Sequence, residues 1–72
     1  MLFRSQLGNK FDMGDMLHNI GIVHNRKGNY EKVLDYQNRS LALRDELGDK
    51  AGMGRNFLNI GNMYNNKGDD KF

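Results

Sequence analysis

The chain has no cysteine. That excludes disulfides, zinc–thiolate sites and iron–sulfur clusters. It has no proline, and methionine, leucine, lysine, arginine and glutamate are frequent, which favours helix. No apolar run approaches the roughly 18 residues that would suggest a membrane span. The opening MLFRSQLGNK lacks the apolar stretch of a secretory signal. A soluble, cytoplasmic protein is the expectation. Eleven basic residues stand against nine acidic ones, for a net charge of +2. That excess is small and interspersed, so it offers no footprint for nucleic acid or membrane. No GxGxxG fingerprint and no lysine-containing phosphate loop occurs; Gly52-Met53-Gly54 is too short to count as one. Ser5 and Ser40 are the only serines, and neither has a convincing histidine–acid partnership. The sequence therefore predicts no enzyme, no metal and no cofactor.

What is present is a repeat. The stretch MLHNIGIVHNRKG from Met16 is echoed by NFLNIGNMYNNKG from Asn56. Sliding the chain by forty residues aligns twelve identical pairs, among them Arg4/Arg44, Lys10/Lys50, Met13/Met53, Asn19/Asn59, Ile20/Ile60 and Asn25/Asn65. Gly8/Gly48, Gly14/Gly54, Gly21/Gly61 and Gly28/Gly68 use eight of the nine glycines, leaving only Gly52 unpaired. Punctuation that repeats at a fixed period marks a solenoid or array.

Within one period, Met13, Leu17, Ile20 and His24 step by four, three and four, as do Met53, Phe57, Ile60 and Tyr64. That spacing puts each set on one helix face. Gly28-Asn29 and Gly48-Asp49 each read as a helix stop followed by a fresh N-cap. Tyr30, Val33, Leu34, Leu41 and Leu47 mark the helix between them. The pattern predicts helices at about 2–7, 12–27, 30–46 and 51–67. Turns this short make neighbouring helices antiparallel. Gly21 and Gly61 fall inside helices, where glycine costs about 0.5–1 kcal/mol relative to alanine. Close approach of a neighbouring helix is the reason to expect them there. Ten asparagines oppose helix formation, so packing has to stabilise these helices.

The segments HNIGIVHNRKGNYEKVLDYQNRSLALRDELGDK and GDKAGMGRNFLNIGN resemble tetratricopeptide repeats. They are similar to the forty-residue variety of kinesin light chains and of G-protein-signalling adaptors. The pair Ile20-Gly21, the turn Gly28-Asn29-Tyr30 and the tail from Leu41 to Lys50 carry the likeness, which spans the whole chain. The resemblance implies an all-α fold of antiparallel helix-hairpin repeats, a right-handed α-solenoid fragment. Residues 1–72 form one domain in this reading: 1–8 end a preceding repeat helix, 9–48 make a complete repeat, and 49–72 begin a truncated one. Val33 and Ser40 stand where the family prefers alanine, Gln37 where it prefers an aromatic, and His24 where tyrosine is usual. Overfilling a tight helix contact costs about 1–3 kcal/mol. One complete repeat is less than the three or so usually needed to bury a core. A fragment of a longer array, or a homo-oligomer, is therefore expected.

The family's first helices line a concave, ligand-binding face. On that basis the candidate peptide-binding residues are Asp15, His18, Asn19, Ile22, Asn25 and Arg26 in the first copy. Arg55, Asn59, Asn62, Asn65 and Asn66 are their counterparts in the second. Asn59, Asn62 and Asn65 are spaced by three and line one helix strip. Their amides can both donate to and accept from a peptide backbone. Arg55 can pair with an acidic ligand side chain. Ordinary solvated surface is the competing reading of this strip.

Other residues carry less. His18 and His24 are six apart, roughly 240° around a helix, which is wrong for a metal pair and suits exposed or partly packed side chains. Asp12/Asp15 and Glu31/Asp35 read as solvated helix surface. Methionines 1, 13, 16, 53 and 63 read as core. The sequence thus points to protein–protein interaction, with a protein or peptide ligand. A structural self-association module is the alternative, and a nucleic-acid-binding helical repeat is a weaker one.

Overall fold

The computed structural model describes residues 4–68, with side chains from Gly8 onward. They form three α-helices: α1 (Arg4–Lys27), α2 (Tyr30–Glu46) and α3 (Lys50–Lys67). Two tight turns join them. Gly28 and Gly48 take φ of 78° and 70°, the left-handed region that glycine enters without a Cβ penalty. Gly68 ends α3 the same way, with φ 82°.

The two helix starts differ. The Asp49 carboxylate accepts from the Gly52 N–H at 3.0 Å and caps α3. Asn29 precedes α2 but makes no side-chain cap bond; its amide lies 3.3 Å from His24 Nδ1 instead. The expected cap at Asn29 is therefore only positional.

One expected boundary is absent. Gly8 does not stop a helix: α1 runs unbroken from Arg4 to Lys27, so the two expected helices at 2–7 and 12–27 are one. Glycine permits a turn but does not impose one. Nothing among the described residues lies against Gly8, so no packing partner draws the chain aside there. Gly48, its counterpart, takes φ 70° and ends α2, after which α3 runs back along α2.

Side-chain pairs give the directions. Lys10–Glu46, Gly14–Ser40 and His18–Gln37 cross between α1 and α2, and the numbers fall on one helix as they rise on the other. Arg44–Gly52, Gln37–Asn56 and Tyr30–Asn66 do the same for α2 and α3. Both pairs are antiparallel. The Asn25–Asn66 bond and the 3.5 Å approach of Asn56 Nδ2 to His18 Nδ1 place α1 beside α3, which run parallel.

The seam of α2 holds the interior. Val33, Gln37, Ser40 and Arg44, spaced by four, three and four, are all buried. With Met63 and Asn56 these are the largest fully buried side chains among the described residues. Only Val33 and Met63 of them are apolar. The expected stripes play a lesser part: Leu17, Ile20 and Ile60 are half-buried, while Met13, Phe57 and Tyr64 are exposed. Of the methionines read as core, Met63 is buried and Met53 half-buried. Met13 and Met16 are exposed, and Met1 lies outside the described residues. No helix among the described residues is long and apolar enough to cross a membrane.

Candidate functional site: a polar junction and the amide strip beside it

The three helices meet at a chain of buried polar groups. Gln37 donates from Nε2 to the His18 carbonyl at 3.0 Å, which fixes its amide orientation. Its Oε1 then lies 2.9 Å from His18 Nδ1 and accepts from Asn56 Nδ2 at 2.7 Å. An acceptor facing Nδ1 places the ring proton on that nitrogen. Asn56 Oδ1 accepts from Arg44 at 3.1 Å, and the same guanidinium nitrogen reaches the Gly52 carbonyl at 2.8 Å. The other terminal nitrogen of Arg44 pairs with Asp15 at 2.8 Å. Arg44 Nε is buried with no hydrogen bond among the described residues, 4.0 Å from an Asp49 carboxylate oxygen.

This chain ties α1, α2 and α3 into one unit. Each satisfied bond contributes about 0.5–1.5 kcal/mol, whereas removing one partner costs about 1–3 kcal/mol in stranded groups. Such a core defines a single arrangement more than it adds stability. It also explains Gln37. The side chain lies over Gly21, and a methyl at Gly21 would run into its amide. The glycine supplies the room that a large residue at this seam needs. Ser40 similarly donates to the Gly14 carbonyl at 2.7 Å. Gln37 and Ser40 are thus accommodated by glycines opposite, Gly21 and Gly14.

His18 must accordingly be reassigned. It is buried at the junction, neither exposed nor partly packed, and does not face a ligand groove. Asp15 remains mostly exposed, but its carboxylate is engaged by Arg44. Asn25 and Asn66 bond to each other at 3.2 Å, and the Asn66 carbonyl accepts from the Tyr30 hydroxyl at 3.4 Å. The rest stay open: Asn19, Arg26, Arg55, Asn62 and Asn65 are exposed, and Ile22 and Asn59 are half-buried. On α3, Arg55 and Asn62 are exposed on either side of the half-buried Asn59.

Gln37, Ser40, Arg44 and Asn56 were missed as a connected set. Gln37 and Ser40 were visible as departures from the family pattern. For Asn56, nothing in the sequence separates one buried asparagine from nine others. A second cluster forms between α1 and α2. His24 stacks on Tyr36 at 5.5 Å, and Arg39, paired with Asp35, lies 5.4 Å over the same ring.

Comparison with protein-family models, with curated proteins and with solved structures finds no match to this chain.

Proposed function

We propose that this chain is a protein–protein interaction module of tetratricopeptide-like helical hairpins, binding a peptide or partner helix on the surface shared by α1 and α3. The supporting observation is the parallel alignment of those two helices. Residue 18 sits beside 56 and residue 25 beside 66, close to the forty-residue offset of the sequence repeat. Side-by-side equivalent helices present one set of positions twice, which suits an extended ligand. Asn19, Asn59, Asn62 and Asn65 offer amides along it, and Arg55 and Arg26 add positive charge at its edges.

The mechanism is binding without turnover. Amides hold a ligand backbone, and Arg55 takes an acidic side chain. An array of acidic and neutral 10-residue peptides tests this. Arg55→Ala should weaken acidic ligands by roughly three- to tenfold, the effect of losing an exposed ion pair, with neutral ligands unaffected. Asn62→Leu should weaken both kinds. Wild-type binding by both variants contradicts the reading.

A further inference from the structure

Two cations on the surface shared by α1 and α3, Arg26 and Arg55, are exposed and form no ion pair among the described residues. Their neighbours place them. Successive residues of a helix lie about 100° apart around its axis. On α1, Gly14 meets Arg44 and Ser40, Gly21 meets Gln37, and Asn25 bonds to Asn66. The next residue after each is Asp15, Ile22 or Arg26, and each turns from the packed interior toward the groove. On α3, which lies across the groove from α1, the sense of rotation is reversed. Asn56 and Met63 are buried there, and the residues just before them, Arg55 and Asn62, are exposed. The two arginines therefore stand on opposite walls.

The fold supplies neither with a counter-ion. Asp15 lies near the level of Arg55 on the α1 wall, but its carboxylate is held at 2.8 Å by the buried Arg44. Asp12 lies about one turn further out, past the Arg55 end.

The separation of the arginines follows from the same contacts. Asn25 bonds to Asn66, so Arg26 stands about level with Asn66, 11 residues along α3 from Arg55. At about 1.5 Å per residue that is roughly 16 Å along the groove. An extended chain covers this distance in about five residues. Side chains of an extended chain alternate between its two sides, so residues five apart face opposite walls, as the arginines do. Ile22 is half-buried one turn before Arg26 on the same wall. It would meet a ligand residue two removed from the one at Arg26.

Taking the groove of the proposed function as the binding surface, we propose that its ligand is an extended acidic segment of a partner protein. Two carboxylates five residues apart pair with Arg55 and Arg26, and an apolar side chain between them covers Ile22. A helical ligand keeps its backbone groups bonded to one another. An extended one offers them to the amides of Asn59 and Asn62, which lie between the arginines.

The test uses the full chain and two 10-residue peptides of one composition. The first has Glu at positions 3 and 8, Leu at 5 and 6, and Ser elsewhere, so that a leucine meets Ile22 whichever way the peptide runs. The second has its second Glu moved to position 7, which turns both carboxylates to one wall. The five-spaced peptide should bind at least about threefold more tightly, the gain of one exposed ion pair. Arg26→Ala and Arg55→Ala should each weaken it by roughly three- to tenfold. In either variant its advantage over the four-spaced peptide should vanish. Both arginines are exposed, so the melting temperature should not move. Equal binding of the two peptides by the wild-type chain overturns the proposal, and so does unchanged binding of the five-spaced peptide by Arg26→Ala. If Arg55→Ala still weakens both peptides in those cases, the groove stands as the binding surface and only the spacing rule falls. No binding of either peptide overturns both.

Discussion

Gly14 and Gly21 of α1 recur at the same spacing as Gly54 and Gly61 of α3, yet the two pairs live in different surroundings. On α1 both are contacted: Gly14 meets Arg44 and Ser40, and Gly21 meets Gln37. On α3 the matching Gly54 and Gly61 meet nothing among the described residues. A glycine in a helix costs about 0.5–1 kcal/mol. On α1 that cost is offset by the close approach of α2; at Gly54 and Gly61 nothing among the described residues offsets it. Local sequence likeness therefore yields like backbone, while burial depends on what lies opposite.

Paired substitutions at equivalent positions sharpen this contrast. The largest difference is expected at His18 and Leu58. His18→Ala should cost about 2 kcal/mol, through a lost buried hydrogen bond and a cavity. Leu58→Ala should change stability by less than about 0.5 kcal/mol, as an exposed residue does. Urea unfolding of both variants measures this, and equal losses would break the contrast.

Next come Gly48 and Gly8. Gly48→Ala forces a side chain into the left-handed region, at about 1–2 kcal/mol. Gly8→Ala lies in open helix and should stabilise by about 0.5–1 kcal/mol. Thermal melts that moved in the same direction would show that the two positions share a conformation after all.

The smallest effect concerns the helix starts. Asp49→Ala removes a bonded cap and should cost about 1 kcal/mol, whereas Asn29→Ala removes no cap bond and should cost only a few tenths. Amide hydrogen exchange in the first turns of α2 and α3 separates them. Only the α3 turn should open more readily.

The sequence disclosed α2 and α3 almost to the residue, because their boundaries carry glycines that do enter the left-handed region. Gly8 carries the same letter and remains helical. Glycine permits the left-handed stop without imposing it, so the letter alone does not separate Gly8 from Gly28, Gly48 and Gly68. Apolar spacing misled for a related reason. It marked Met13, Phe57 and Tyr64, which are exposed, while the seam belongs to Val33, Gln37, Ser40 and Arg44. Three of those four are polar, and a polar residue reads as surface until its partners are known. His18 was misplaced in this way: its burial depends on Gln37 and Asn56, which come from two other helices. On the amide strip, Asn62 is exposed and Asn59 half-buried.

The most direct test of the account compares the thermal unfolding of Gly21→Ala and Gly61→Ala. The account predicts opposite signs. Gly21→Ala should lose about 1–3 kcal/mol as the new methyl displaces Gln37, and Gly61→Ala should gain about 0.5–1 kcal/mol in open helix. If both variants are destabilised alike, the face on α3 is already covered. If neither is, α2 does not press on α1 at Gly21. Either result contradicts the arrangement described.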